Sequence, residues 1–124
     1  MMLALGCDIV SVQRIRDAVQ RHGDRFLQRC FRPGEIALAR RRGRAEAATL
    51  AARWAAKEAF VKALGPRSRG VPYRDIEVVR DADGVPGFAL HGAARAACDA
   101  AGAGRVLLSL SHERDHAMAV VVLD

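Results

Sequence analysis

The chain has 124 residues, 51% of them hydrophobic, and carries 20 Lys+Arg against 14 Asp+Glu for a formal net charge of +6. That length and hydrophobic content exclude global disorder and fit one domain over residues 1–124 with a real core. No stretch is apolar for long enough to span a membrane, no signal-peptide pattern precedes the first apolar run, and the charge calls for an acidic partner class.

The run Leu3-Ala4-Leu5-Gly6-Cys7-Asp8-Ile9-Val10 reads as a buried strand. Asp8 interrupts it, and the missing side chain of Gly6 lets another backbone or a ligand approach. Ser11 is placed to N-cap a helix that runs to about Arg21 and stops at Gly23. Val12, Ile15 and Val19 form its buried stripe, with Arg14 and Arg21 on a neighbouring face. Arg25 joins that face only if the helix survives Gly23. Pro33 opens a second helix, which carries Glu35 and breaks at Gly43. A long alanine-rich helix follows and ends at Gly65-Pro66, and residues 66–74 form a basic loop. Residues 76–80 and 87–91 read as a hairpin, 93–101 as a short helix, and 105–111 with 117–123 as a second hairpin. The whole is α+β, a single domain with a mostly antiparallel sheet and a central buried helix.

That central helix is the most informative segment. Leu50, Trp54, Phe60, Val61 and Leu64 share one broad apolar arc, while Ala52, Ala56, Ala59 and Ala63 line the opposite side. A helix apolar on both sides is buried, yet Arg53 and Lys57 lie inside the arc and Glu58 and Lys62 at its border. Buried charges are costly unless paired or ligand-bound. The bland alternative is a set of i,i+4 ion pairs on a half-exposed helix. Lys57 and Lys62 are the chain's lysines among its 20 basic residues. A chain that otherwise uses arginine places the compact ammonium only here, which points to a site. Asp8 is either ion-paired for structure or functional. If it meets Glu58, two carboxylates from separate elements make a hard oxygen site of the kind that takes magnesium with phosphates and water.

These residues resemble the holo-acyl-carrier-protein synthases, the short phosphopantetheinyl transferases, over nearly the whole chain. The resemblance runs through Gly6-Cys7-Asp8-Ile9-Val10, Arg14-Ile15, Phe31…Glu35, Arg53-Trp54-Ala55-Ala56-Lys57-Glu58-Ala59 and Lys62-Ala63-Leu64-Gly65. It continues in Asp75-Ile76-Glu77-Val78, Gly84-Val85-Pro86 and Ser109-Leu110-Ser111-His112. It implies the phosphopantetheinyl transferase fold and Mg2+-dependent transfer of the 4′-phosphopantetheine arm of coenzyme A to a serine of apo acyl carrier protein. Adenosine 3′,5′-bisphosphate is the other product. It further implies Asp8 and Glu58 as metal ligands, with Lys62 beside them as a third catalytic group. Arg53, Lys57, Lys62, Gly65, Ser111 and His112 fall at coenzyme A. For Arg53 and Lys57 two roles stand open, phosphate contact or support of Glu58. Arg14, Arg21 and Arg25 would border the acidic, helical carrier protein. The assembly implied is a homotrimer with the site between subunits, and the setting implied is fatty acid biosynthesis. Two departures stand out. Pro66-Arg67-Ser68-Arg69-Gly70 replaces the usual threonine–glycine turn, and Pro66 lacks an N–H that could touch phosphate. Val85 stands where lysine is common.

Other chemistries lack support. There is no Walker loop, no GxGxxG and no HExxH. Ser111 and His112 are sequence neighbours, a poor spacing for a hydrolase dyad, and on residue type alone they read as a turn. The run Arg40-Arg41-Arg42-Gly43-Arg44 is a solvated patch or a reader of acidic groups. A nucleic-acid-binding domain explains the charge but leaves Asp8 and Glu58 unexplained, and no aromatic platform accompanies the arginines. A non-catalytic oligomeric scaffold is the remaining alternative. The cysteines, Cys7, Cys30 and Cys98, are odd in number and lack CxxC spacing, so small buried thiols in a reduced, cytoplasmic setting are expected.

Overall fold

The computed structural model describes residues 1–124. Strand β1 (Ala4–Ser11) leads into α1 (Val12–His22), α2 (Asp24–Cys30), α3 (Pro33–Arg41) and the long α4 (Glu46–Leu64). The hairpin β2 (Ile76–Arg80) and β3 (Pro86–Leu90) follows, then α5 (Gly92–Ala100), β4 (Val106–Glu113) and β5 (His116–Leu123). The strands form two antiparallel sheets, β1-β5-β4 and β2-β3. No helix is long and apolar enough to cross a membrane.

The alanines explain where α4 lies. Ala51, Ala52, Ala55, Ala56, Ala59 and Ala63 are all buried, so neighbouring backbones approach the helix closely from several sides. Strand β1 crosses it at Gly6, where a Cβ would collide with the Ala59 carbonyl and the Ala63 amide. Ala117, Ala119, Val121 and Leu123 of β5 complete the inner face of the sheet against the same core. The buried central helix and both hairpins therefore stand as expected.

Three features differ from the expectation. Gly23 adopts φ 52°, which stops α1, and the chain at once begins α2 at Asp24 instead of a loop. Strand β4 continues to Glu113 and turns back at Arg114, which has φ 50°. Ser111 and His112 are thus paired strand residues, opposite Met118 and Ala117, and not part of a turn. Cys30 and Cys98 are buried as expected, but Cys7 is exposed.

Cys7 belongs to the outer face of the three-stranded sheet. Alternation along β1 and the pairing register put Leu5, Cys7 and Ile9 beside Val122, Val120 and Met118, and these beside Leu107, Ser109 and Ser111. Leu5 is 57%, Ile9 65% and Leu107 44% exposed. The sheet is therefore apolar on both faces, with α4 covering only the inner one.

Candidate active site

Asp8 enters the site because strand alternation turns it toward α4, opposite to exposed Cys7 and Ile9. Glu58 and Lys62 reach the same place from one edge of α4, a helical turn apart. Lys62 Nζ donates to Asp8 Oδ1 at 3.1 Å, with the lysine side chain 55% exposed and the aspartate 15%. The Asp8 hydrogen bond and charge, with Glu58 adding to them, hold the ammonium above the ordinary lysine range. Both carboxylates therefore act on one cation at the junction of β1 and α4. Beside them Cys7, Asp8, Ile9, Lys62 and Met118 line a cleft of about 450 Å³.

Tyr73 joins this group from a 3₁₀ turn (Tyr73–Asp75) that precedes β2. Burial, then the nearby Glu58 carboxylate, pushes its phenol far above the usual range. Its ring packs edge-on against Trp54, centroids 5.1 Å apart. Tyr73 went unnoticed in the sequence because a single aromatic in a loop has no periodicity to mark it.

Lys57 has a different place from Lys62. It is 0% exposed, and its Nζ donates to Glu35 Oε1 at 2.9 Å and to the Tyr73 carbonyl at 3.1 Å. The ammonium also faces the Phe31 ring, 4.9 Å from its centroid. Burial lowers its pKa from the lysine range, and Glu35 opposes that shift. With its donors turned inward and no exposed surface, Lys57 has no face for a coenzyme phosphate, and its contacts tie Glu35 to the Tyr73 turn. Glu35 also caps α3, accepting the Arg32 N–H at 2.9 Å, and takes the Val78 N–H at 3.1 Å. Only this Glu35 half of a capping box exists, since an arginine at the N-cap has no acceptor for the Glu35 N–H, and Pro33 is the sequence signal for the helix start. Arg53 is 3% exposed and its Nε has no hydrogen-bond partner. Burial lowers its pKa, with Glu35 opposing and Arg80 and Arg42 reinforcing.

Gly65 ends α4 with φ 61°, and its N–H is directed to the Val61 and Lys62 carbonyls. Ser111 and His112 are exposed on β4, separated from β1 by the whole of β5, so their own chain does not bring them to Asp8. Arg14 and Arg21 border one surface depression with Asp17 and His22. Arg25, displaced onto α2 by the break at Gly23, lines a second with His22, Phe26 and Arg29. His22 is common to both, so the three arginines border one continuous basic surface.

The donor set of Asp8 and Glu58 is oxygen only and half-buried, with Asp8 bonded to Lys62, and it comes from two regular elements. That chemistry fits a hard divalent cation such as Mg2+, which keeps water and substrate oxygens in its remaining positions. It does not fit a closed structural zinc site, and no group of three or more His, Cys, Asp or Glu is present.

Residues 4–121 match the family model of the 4′-phosphopantetheinyl transferase superfamily. The chain is 50% identical to a holo-[acyl-carrier-protein] synthase of Halorhodospira halophila, over 99% of this chain and 98% of that one. Its fold is similar to the crystal structure of the holo-[acyl-carrier-protein] synthase of Neisseria meningitidis, with a TM-score of 0.90 and 38% identity over 100% and 99% of the two chains. It is likewise similar to the Helicobacter pylori synthase solved in complex with coenzyme A, with a TM-score of 0.81 and 31% identity over 97% and 99%.

Proposed function

The chain belongs to the 4′-phosphopantetheinyl transferase superfamily, and we infer that it is a holo-[acyl-carrier-protein] synthase. It transfers the 4′-phosphopantetheine arm of coenzyme A to a serine of apo acyl carrier protein and releases adenosine 3′,5′-bisphosphate. The convergence of Asp8, Glu58 and Lys62 at the β1–α4 junction is the observation that carries the chemistry.

In the reaction an O–P bond forms between the carrier serine and the β-phosphorus, and the bond to the departing nucleotide phosphate breaks. The serine proton must leave as this happens. The nucleophile comes from the carrier, so none is required of this chain. In our reading Asp8 and Glu58 would hold Mg2+, which when bound neutralises pyrophosphate charge and lowers the pKa of an attached hydroxyl. Lys62, exposed and kept protonated by Asp8, is free to swing to the pyrophosphate and offset charge on the leaving nucleotide. The rigid packing of β1 on α4 fixes the carboxylates relative to each other, which favours in-line attack by orientation.

Assembly extends this reading. The exposed apolar outer face of the sheet is the kind of surface that oligomers cover, and a homotrimer would bury it. Ser111 and His112 of one copy would then meet coenzyme A held mainly at a neighbour's Glu58. Gly65 completes the proposed coenzyme contacts, while Arg53, buried like Lys57, supports the site from within the core. The setting we assign is fatty acid biosynthesis in the cytoplasm.

The direct test is Mg2+-dependent transfer of a labelled pantetheine arm to purified apo carrier proteins of fatty-acid and polyketide type. Label appearing on the carrier serine and abolished by a chelator is the expected result. Salt-sensitive binding to random DNA with no transfer would favour the nucleic-acid alternative.

Arg14 and Arg21 are exposed rim charges suited to an acidic docking partner. An exposed ion pair contributes only about 0.2–1 kcal/mol, so reversing both is the fair trial. Arg14→Glu with Arg21→Glu should raise the apparent KM for carrier by roughly tenfold, most strongly at low salt, and leave coenzyme A affinity near normal. Loss of coenzyme binding with an unchanged carrier KM would place docking elsewhere.

A further inference from the structure

Lys57 closes a circle of contacts. Its Nζ donates to the Tyr73 carbonyl at 3.1 Å and faces the Phe31 ring, 4.9 Å from the centroid. Between those two ends the aromatic rings run on without a break. Tyr73 packs on Trp54, Trp54 on Phe26 and Phe26 on Phe31, with centroids 5.1, 5.9 and 6.1 Å apart. The ammonium is fixed in turn by Glu35 at 2.9 Å, and Glu35 by the Arg32 and Val78 amides. Arg32 Nε holds the same turn from a second side, donating to the Arg74 carbonyl at 2.7 Å. Phe31 and Lys57 are sealed in the core, whereas Phe26 and Trp54 are only partly buried, and the circle meets the surface at α2. There Phe26 lines a depression of about 490 Å³ with His22, Arg25 and Arg29. Helix α2 has 7 residues, too few to stand without tertiary packing, and it packs on the Tyr73–Asp75 turn. Both rings that hold Phe26 belong to the circle. Phe31 touches Lys57 itself, and Trp54 reaches it through Tyr73.

We propose that Lys57, fixed by Glu35, is a positioning residue for carrier recognition, which through the Phe31–Phe26–Trp54–Tyr73 arc sets how α2 presents Arg25, Phe26 and Arg29 to the acidic carrier. The inference rests on the reading of that basic surface as the carrier's dock. Aromatic pairs accept centroid spacings from about 4.5 to 7 Å, so a row of rings is not rigid by itself. A cation that grips both ends of the row removes that freedom, by attraction to the Phe31 face and by a directional bond to the Tyr73 carbonyl. A short helix carried on such a row keeps one orientation, and its arginines then meet a partner in one register. Lys57 is 0% exposed, so it acts on a partner only through these neighbours.

The test is the double variant Glu35→Gln with Lys57→Met in the full chain, which keeps side-chain size and leaves no unpaired charge in the core. Transfer is measured with apo acyl carrier protein and coenzyme A varied in turn, and Arg14→Glu with Arg21→Glu serves as the reference for a damaged dock. The core variant should raise the carrier KM by roughly tenfold, while the KM for coenzyme A stays within about twofold of the parent's. A fall in melting temperature with both KM values unchanged would show a merely structural pair and overturn the proposal. A raised coenzyme KM with the carrier KM intact would overturn it too. Phe31→Leu loosens the same arc with the charged pair in place, and it decides the matter if the core variant does not fold. It should raise the carrier KM and spare that for coenzyme A, and an unchanged carrier KM would overturn the proposal. If the reference variant leaves the carrier KM unchanged, the dock itself is misplaced and the inference falls with it. If the reference raises the carrier KM and the core variants do not, only the role of Lys57 is lost.

Discussion

Asp8→Ala and Glu58→Ala should each reduce transfer by roughly 10²–10³-fold or more while leaving the protein folded, if, as we propose, each holds the cation that meets the reacting phosphate. The fold should survive for reasons visible at each residue. Asp8 is bound to Lys62, whose side chain is 55% exposed, and such solvent-screened pairs contribute at most about 1 kcal/mol. Glu58 lies at the edge of α4, while the helix is held by its alanine contacts and by the buried Glu35–Lys57 pair. Circular dichroism and thermal melting should therefore match the parent closely. Asp8→Asn refines the trial, since it keeps the size and loses the charge. It should be nearly as inactive as Asp8→Ala if the carboxylate acts as a ligand. Transfer within about tenfold of the parent in either alanine variant would remove the carboxylate pair from the mechanism.

Glu35→Ala would behave in the opposite way. It strands a fully buried ammonium, and breaking such a pair typically costs about 3–5 kcal/mol. The contrast between two acids on neighbouring helices, one dispensable for folding and one not, follows from their burial.

Much of this was legible before any coordinates. Gly6 beside Asp8 in an apolar strand, and a helix with alanines on one side and large residues on the other, already imply a strand laid closely on a helix. Glu58 and Lys62 at a border of that helix then point toward the strand. What local pattern cannot carry is the identity of distant partners. Lys57 looked like a ligand-binding lysine because its partner, Glu35, sits 22 positions away on another helix. The two lysines share a helix and a composition signal, yet one is sealed in the core and the other faces solvent. Helix α2 was missed because Asp24–Cys30 spans 7 residues, too few for a helical period to declare itself after a glycine stop. The outer face of the β1-β5-β4 sheet was hidden for a related reason. Its apolar residues come from both ends of the chain, and only the strand pairing sets Leu5, Val122 and Leu107 in one row.

That row supports the second large prediction. In the separate subunit Leu5 and Leu107 are well exposed, so Leu5→Asp with Leu107→Asp should cost the subunit little of its own stability. If the face is an interface between copies, the same change buries unpaired carboxylates against apolar surface and should dissociate the assembly. Sedimentation or light scattering would then show the parent as a trimer and the double variant as a monomer with a parent-like circular dichroism spectrum. Transfer should fall by at least about tenfold, because Ser111 and His112, held away from Asp8 by the width of β5, would no longer reach a coenzyme at a neighbour's α4. Mixing two inactive proteins gives a complementary readout. In mixed trimers of Asp8→Ala and His112→Ala subunits, about a quarter of the sites would combine an intact Asp8 with a neighbour's intact His112 and regain activity. A parent that is monomeric and fully active would sink the shared site, as would a double variant that stays trimeric with full activity. A mixture no more active than its components would show instead that His112 serves its own subunit or none.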